Sequence, residues 1–331
     1  MMQRKYKAAQ ATWETNTLTV TTGKMQRIWA LTDAGLATRE VKNIASDHTW
    51  AMLPDAAGCD WELPGVSPEG HRKCRLEAIR MHESDDEGFT TRHLAVELDL
   101  YYPGTSMRVR FTVWAYPDAP GLRTRLWLQP GSMRRVYHTD STGRVECLPL
   151  DLRNASLHAA GYYNCTQSRN KPETPLIREW TSETQPESSE IVDWASLADV
   201  RLDGEAIAIV KESHKCVNQG GKDTGDFRFD PKSGFSSTGW GLAEARLDPF
   251  DLHPAWAHWC VCSSDDDFAL QEAVKDFDRH RFHTDPQRDV YMISNTWGSR
   301  GAPEGPLSMR EGRGSRDAAK EDNVLREIDV A

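Results

Sequence analysis

The fold is decided by residues Leu94–Leu128, which read LAVELDLYYPGTSMRVRFTVWAYPDAPGLRTRLWL. Apolar and polar side chains alternate within three runs of this stretch, at residues 94–100, 108–113 and 123–128. The turn signals YYPGTS and YPDAPG separate the runs. A period of two is typical of antiparallel strands with one solvated face, so the stretch predicts three consecutive strands.

The same period dominates outward from this stretch, from about Leu18 to Cys262. So many strands in succession predict a large antiparallel β-sandwich. Two stretches interrupt the pattern. Leu53–Lys73 is rich in glycine and proline and is interpreted as a long excursion between strands, whereas the polar, proline-bearing Asn170–Glu190 is predicted to be a loop.

One convincing helix closes the sandwich, in the segment SSDDDFALQEAVKDFDRHRFH (Ser263–His283). Aspartates begin it and basic residues end it, which is the favourable order for the helix dipole. Leu270, Val274 and Phe277 form its apolar stripe. Because Asp285-Pro286 ends the helix, we predict a β domain over residues 1–264, a linker helix over 265–285 and a further unit over 286–331.

The last stretch begins a strand–helix unit. VYMISNTWG (Val290–Gly298) has the pattern of a buried strand, and a Gly/Pro-rich loop follows it. The end of the chain then places four apolar residues on one helical face: Val324, Leu325, Ile328 and Ala331. Such a unit needs a second parallel strand to receive the helix, and none follows. We therefore expect the protein to be truncated at Ala331.

Composition excludes several classes of partner. The chain has 331 residues, 27% of them charged, with a net charge of −10, so nothing suggests a nucleic-acid footprint. No apolar run has membrane-spanning length, and no apolar core follows the basic N-terminus as in a secretory signal. Seven scattered cysteines fit reduced thiols. We expect a cytoplasmic protein that binds neither nucleic acid nor membranes.

The short motifs predict no metal site and no cofactor. His82-Glu83 lacks the second histidine of a zinc-protease helix, and Cys260 and Cys262 lack a second pair at zinc spacing, so core thiols are favoured. Sequence order alone picks out no Ser/His/Asp set. The twelve tryptophans could be sugar platforms, but filling of a β-sandwich core explains them better.

Several segments together resemble the α-galactosidases of glycoside hydrolase family 36. Ala208–Glu212, Asn218–Gly221, Gly225–Phe229 and Gly239–Gly241 look like the late strands of that family's N-terminal β-supersandwich. The helix that ends in Arg-His-Arg-Phe resembles its linker helix. Met292-Ile-Ser-Asn-Thr-Trp-Gly, followed by Asn-Val-Leu-Arg-Glu-Ile, looks like the first strand and helix of its (β/α)₈ barrel.

The resemblance implies a mainly β chain: a large antiparallel β-supersandwich, a linker helix and the first βα unit of a truncated (β/α)₈ barrel. It also implies retaining hydrolysis of terminal α-linked galactose, or a related sugar, by two carboxylates. Both carboxylates come from later barrel strands, beyond Ala331, so no catalytic residue is assigned and the chain alone should be inactive. The full-length enzyme could be a homo-oligomer.

Four residues are predicted to bind the carbohydrate substrate. Asn295 and Trp297 lie at the end of the first barrel strand, where the resemblance places a tryptophan in the wall of the galactose pocket; a barrel-packing role is the alternative. Asp60 and Trp61 lie in the long excursion. In tetrameric members of the family a loop of the N-terminal domain reaches a neighbour's active site, and the resemblance makes this excursion a candidate for that loop. The alternative for these two residues is an ordinary surface loop.

Two other functions compete with the hydrolase. The β domain alone could bind carbohydrate or mediate assembly without catalysis. A sugar epimerase of the mutarotase type shares this β architecture and needs a His and a Glu that face each other in the sandwich concavity as acid and base. Eleven histidines make such a pair possible, but no spacing in the sequence favours it.

Overall fold

The structure is a computed structural model that describes residues 1–54, 58–67, 69–162, 177–182, 188–213 and 225–289. The chain divides into two compact units, Met1–His283 and Thr284–Ala331. The second unit is described only over residues 284–289, where a short helix spans Pro286–Asp289. The strand and helix predicted between Val290 and Ala331 therefore lie outside the described residues.

The first unit is built almost entirely of strands, which in chain order are β1 (Met2–Tyr6), β2 (Ala9–Glu14), β3 (Thr17–Thr21), β4 (Met25–Leu31), β5 (Leu36–Asn43), β6 (His48–Thr49), β7 (Arg75–Ser84), β8 (His93–Tyr102), β9 (Met107–Ala115), β10 (Gly121–Pro130), β11 (Arg134–Arg135), β12 (Arg144–Leu148), β13 (Ser156–Tyr162), β14 (Ile177–Ser182), β15 (Glu190–Val192), β16 (Leu197–Leu202), β17 (Glu205–Lys211), β18 (Phe227–Asp230), β19 (Gly234–Thr238), β20 (Arg246–Leu247), β21 (His253–Pro254) and β22 (His258–Ser264). Within the described part of this unit, the helix is α1 (Asp267–Arg281), with 3₁₀ turns at Asp86–Gly88 and His138–Thr142; the short helix Pro286–Asp289 of the second unit is α2.

Two large antiparallel sheets form the body of this unit. Strands β1 to β6 follow one another in chain order in a six-stranded sheet. The ten-stranded sheet has the order β14-β13-β16-β17-β22-β10-β9-β8-β7, with β21 paired to β10. The three runs that the sequence predicted within residues 94–128 are the neighbouring strands β8, β9 and β10, so that prediction is confirmed.

The core lies between these sheets because their alternating side chains point apolar groups inward. Leu98 and Val109, on strands of the ten-stranded sheet, are fully buried. Trp29 of the six-stranded sheet meets Phe111 of the ten-stranded sheet edge to face, with ring centroids 5.7 Å apart. The prediction of a mainly β, antiparallel sandwich is confirmed.

Two smaller sheets extend the sandwich. One pairs β11 with β20, and the other has the order β12-β19-β18-β15. Stacked rings join the second of them to the large sheet: Phe229 stacks on Phe235 at 4.9 Å and on Trp180 at 5.5 Å between ring centroids. Packing of this kind accounts for part of the high tryptophan content of the chain.

The predicted loop at residues 170–190 is wrong in part. Ile177–Ser182 forms β14, the edge strand of the ten-stranded sheet, which pairs with β13. Residue 190 begins β15. Prolines and glutamates in this stretch suggested a loop, but the segment IREWTS carries Trp180, which packs against Phe229. Edge strands tolerate the polar side chains that a central strand excludes.

The helix predicted after the sandwich is confirmed as α1. The Asp266 side chain caps its start by accepting a hydrogen bond from the Ala269 backbone N–H at 2.9 Å. Leu270 packs on Ala206 and Ala208 of β17, and Phe277 meets the Tyr116 ring. Its apolar face therefore covers the outer side of the ten-stranded sheet along β17 and β22. No helix among the described residues has the length and apolar character needed to cross a membrane.

Candidate functional site

Two of the four predicted substrate-binding residues, Asn295 and Trp297, lie outside the described residues. The sugar contact assigned to them stays a prediction. The other two, Asp60 and Trp61, lie in the long excursion, and the structure places both inside the sandwich.

Asp60 belongs to a buried charge cluster that joins β4 and β5 of the six-stranded sheet to β12 of the four-stranded sheet. Its carboxylate accepts hydrogen bonds from the Thr38 backbone N–H at 2.9 Å and the Thr38 hydroxyl at 2.7 Å. The Arg27 guanidinium lies 3.2 Å from Asp60 and 2.6 Å from Glu146. We call Arg27, Thr38, Asp60 and Glu146 the interior cluster.

In the interior cluster, burial disfavours the charged form of each side chain, whereas the opposite charges nearby favour it. Burial raises the pKa of Asp60 to about 6, although the Arg27 charge acts in the opposite direction. Burial also disfavours ionised Glu146, but Arg27 outweighs it and holds the pKa of that carboxyl below its usual value. The two carboxylates in turn raise the pKa of Arg27 against the effect of its own burial. An arrangement of this kind stabilises the fold only while all its partners are present.

Trp61 is a core side chain. Its indole N–H donates a hydrogen bond to the Tyr102 hydroxyl at 3.1 Å, and its ring stacks on Phe111 with centroids 5.5 Å apart. Only 4% of Asp60 and 1% of Trp61 is exposed. Both the predicted contact with a neighbouring subunit and the alternative of a surface loop require exposed side chains. The burial of Asp60 and Trp61 fits neither of them. We therefore assign both residues a structural role rather than a sugar contact.

The described residues leave a cleft of about 450 Å³ on the outer face of the ten-stranded sheet, beside α1. The floor comes from β13 and β16, one edge from β14, and the opposite wall from α1. Its lining includes Ser156, His158, Ala160, Glu179, Thr181, Leu197, Asp199, Arg201, Asp267, Leu270, Gln271, Val274 and Lys275. Clefts of a few hundred Å³ that join apolar surface to a few polar groups are typical small-molecule sites.

The strand register brings the polar groups of the floor together. His158 of β13 lies directly opposite Asp199 of β16 on one side and Thr181 of β14 on the other. Side chains opposite each other in antiparallel strands share a face, so imidazole and carboxylate meet there. The Asp199 carboxylate is fully buried and lies 2.8 Å from His158 Nδ1.

Arg201 fixes this pair to the helix. Its Nε donates to Asp199 at 2.7 Å, and its Nη1 donates to the Asp267 carboxylate at 2.5 Å, in the first turn of α1. The hydrogen bond to Asp199 raises the pKa of His158, while partial burial of the ring opposes the rise. The Asp199 carboxylate therefore fixes the orientation of the His158 imidazole. Its Nε2 has no hydrogen bond to another described side chain and can contact a ligand in the cleft.

This arrangement can exchange protons and hydrogen-bond to hydroxyl groups. An imidazole oriented by a buried carboxylate is a recurrent acid–base unit in enzymes. Glu179, on the opposite edge of the cleft, is a second acid–base group and also raises the pKa of His158. Sequence reasoning missed this cleft because His158 and Asp199 occupy ordinary outward positions of two strands. Their pairing depends on a register that the sequence does not reveal.

A largely buried carboxylate, Glu212, anchors the far end of α1. Glu212 accepts hydrogen bonds from Arg123 at 2.6 Å, Trp259 at 2.7 Å and Arg281 at 3.1 Å. Burial opposes its ionisation, but the two guanidinium groups prevail and lower the pKa of Glu212 to about 2.

The described residues contain no cluster of three His, Cys, Asp or Glu side chains that could hold a metal ion.

Comparison with known proteins shows a likeness in fold. No family model matches the sequence, and no curated protein matches it either. Among solved structures, the galactosidase domain of the α-galactosidase–sucrose kinase AgaSK gives a TM-score of 0.52 at 8% identity, over 77% of this chain and 42% of that chain. The α-galactosidase from Lactobacillus brevis gives 0.51 at 8% identity, over 80% and 42%.

A further solved structure names the family. A variant of AgaA, a family 36 α-galactosidase from Geobacillus stearothermophilus in complex with raffinose, gives a TM-score of 0.50 at 10% identity, over 79% of this chain and 42% of that chain. At identities this low the likeness concerns the fold alone. The chain spans less than half the length of these three proteins, and its fold is similar to that of part of the family 36 α-galactosidases.

Proposed function

We propose that this chain is the N-terminal part of a retaining glycoside hydrolase that acts on terminal α-linked galactose or a related sugar. The observation that carries the proposal is the fold: an antiparallel sandwich that ends in a helix over 267–281 and is similar in fold to part of three α-galactosidases. The sequence motifs from residue 205 onward support the same family, including the Trp297 segment.

The proposal places the chemistry outside the β domain. Retaining hydrolysis uses two carboxylates, one as nucleophile and one as acid and then base. In a (β/α)₈ barrel such groups stand at the carboxyl ends of strands. The paired carboxylates of the interior cluster do not suit this role, because Asp60 and Glu146 are buried and bound to Arg27. The hydrolytic carboxylates would belong to a barrel of which Val290–Ala331 is the first unit.

The coding DNA beyond Ala331 tests this proposal. We expect the reading frame to continue and soon to encode a short apolar strand followed by paired aspartates. The protein made from the longer frame should release galactose from an aryl α-galactoside, and NMR of the first product should show the α-anomer, as retention requires. A stop codon directly after Ala331, or an initial β-anomer, contradicts the proposal.

A mutarotase-type epimerase is the second candidate, and one observation favours it. The acid–base pair that such an enzyme needs has a counterpart in His158 and Glu179, which line one cleft. The test is the optical rotation of freshly dissolved α-D-galactose with and without the chain. Faster anomerisation that disappears in His158→Gln supports this candidate, and an unchanged rate rejects it.

A further inference from the structure

The cleft beside α1 presents polar groups that the fold itself does not use. Among the described residues, the side chains of Glu179, Thr181 and Gln271 have no hydrogen-bond partner, and His158 uses only Nδ1. All four line the same cleft. Together they supply a carboxylate, a hydroxyl, an amide and a ring nitrogen, that is, both donors and acceptors.

The walls of the cleft hold these groups in place. Adjacent strands of the sheet fix the floor through backbone hydrogen bonds, with Ala160 opposite both Glu179 and Leu197. Leu270 buries its side chain on β17, and Arg201 ties the first turn of α1 to Asp199. A site whose walls are already ordered loses little conformational entropy when a ligand binds.

The charges that face the cleft nearly cancel. Glu179, Asp199 and Asp267 are negative, Arg201 and Lys275 are positive, and a protonated His158 brings the sum to zero. Asp199 and Asp267 are also paired with Arg201. A charged ligand therefore gains little from the net field, whereas a neutral ligand with several hydroxyls can use donors and acceptors alike.

The remaining lining is apolar and suits the carbon skeleton of such a ligand. Ala160 and Leu197 lie on the floor, and Leu270 and Val274 face them from α1. Apolar side chains next to scattered polar groups match the C–H surfaces and hydroxyl rims of a sugar. The volume of about 450 Å³ accommodates one or two sugar rings.

We propose that the cleft between α1 and strands β13, β14 and β16 binds a neutral, hydroxyl-rich ligand of the size of a mono- or disaccharide. His158 Nε2 and the Glu179 carboxylate bind its hydroxyl groups, and Thr181 and Gln271 complete the polar rim. The inference does not rest on the proposed hydrolase, and it stands if the epimerase candidate fails, because binding requires no turnover.

The test titrates galactose and raffinose into the 331-residue protein and follows the ring resonances of labelled histidine by NMR. The His158→Gln variant assigns the His158 signals, and its fold is checked by circular dichroism. We expect the His158 resonances to shift saturably with a Kd of ~1 mM, as is common for a small open site. Glu179→Gln should weaken binding about tenfold, the effect of removing one charged hydrogen-bond acceptor.

Two controls make the result specific. Glu272→Gln changes a glutamate of the same helix that lies outside this cleft, and it should leave the Kd unchanged. Trp297→Ala separates the cleft from the predicted barrel contact and should also leave the Kd unchanged.

Four outcomes overturn the inference. The first is the absence of any saturable shift of the His158 resonances. The second is unweakened binding in Glu179→Gln, and the third is loss of binding in Trp297→Ala. The fourth is a tenfold preference for galacturonate or galactosamine over galactose, which would mean that the cleft selects a charged ligand.

Discussion

The interior cluster and the cleft beside α1 are both built on an arginine that binds two carboxylates, yet their surroundings differ. Arg27 joins Asp60 to Glu146 between two sheets, where every member is buried. Arg201 joins Asp199 to Asp267 at the surface, and the imidazole attached to Asp199 still faces an open cleft. The first arrangement fixes the packing of the sandwich, and the second also leaves polar groups for a ligand.

The histidines repeat this contrast. His258 lies within the sandwich beside Ser237, and burial together with the nearby Lys211 charge lowers its pKa to about 3. His158 lies at the cleft, and the Asp199 carboxylate raises its pKa. Complete burial and the Lys211 charge outweigh the nearby carboxylates Glu146 and Glu212 and keep the His258 imidazole neutral, whereas hydrogen bonding to a buried carboxylate favours the cation of the partly exposed His158. Protonation should therefore act with opposite signs in the two places.

The largest expected effect comes from Arg27→Met. This change leaves Asp60 and Glu146 buried without their counter-charge, and we expect the free energy of unfolding to fall by ~3–5 kcal/mol. Urea unfolding followed by tryptophan fluorescence measures it. Adding Asp60→Asn and Glu146→Gln to Arg27→Met should restore much of the loss, since all three charges are then gone. A loss below ~1 kcal/mol in Arg27→Met would show that the cluster does not hold the sheets together.

Acid should destabilise the interior next most strongly. The folded pKa of His258 is about 3, below its unfolded value, so the unfolded chain binds the proton more tightly. The stability linked to this group is complete above pH ~6.5 and is lost as the pH falls, by ~3 kcal/mol between pH 7 and pH 4. Urea unfolding at a series of pH values measures the slope. His258→Gln should have a smaller slope, and an unchanged slope would contradict the assignment.

The anchor at the end of α1 should have a smaller effect. Glu212→Gln removes the charge shared by Arg123 and Arg281 while keeping the shape of the side chain. We expect a loss of ~2 kcal/mol in the free energy of unfolding and faster amide exchange in the last turn of α1. The Kd for galactose should change little, because Arg201 holds the opposite end of the helix. Unaltered exchange in α1 would rule out this anchoring role.

The smallest effect on stability belongs to His158. The pKa of His158 is raised in the folded state. Its contribution to the free energy of unfolding is therefore complete below pH ~6.5 and disappears as the pH rises through the folded pKa. His158→Gln should change the free energy of unfolding by no more than ~1 kcal/mol at neutral pH, because the ring is partly exposed. NMR titration should give a pKa for His158 above 6.5, the value for a free imidazole, and Asp199→Asn should lower it. A value below that of a free imidazole would contradict the pairing.

The sequence predicted the strands and helix well because their signals are local. Alternation in Leu94–Leu128 depends on neighbouring residues, and the aspartates before Phe268 mark the start of α1 within one turn. The burial of Asp60 and Trp61 could not be predicted, because glycine and proline indicate a loop but not whether the loop is buried. Partners far away in sequence decide that burial, such as Arg27 for Asp60 and Tyr102 for Trp61.

The cleft depends even more on distant partners. His158 and Asp199 are 41 residues apart, and they meet only because β13 and β16 pair in one register. A shift of one residue would turn either side chain to the other face of the sheet. Nothing in SLHAAGY or LADVRL distinguishes such a pair from the solvated face of an ordinary strand.

The proposal that the hydrolytic carboxylates lie outside this chain has one direct test. The 331-residue chain is incubated with an aryl α-galactoside. If the hydrolytic carboxylates belong to a barrel that follows this chain, release of the aryl alcohol will not exceed the rate in buffer, even while galactose binds the cleft. Saturable turnover by the purified chain would contradict the account, since the catalytic groups would then lie within these 331 residues.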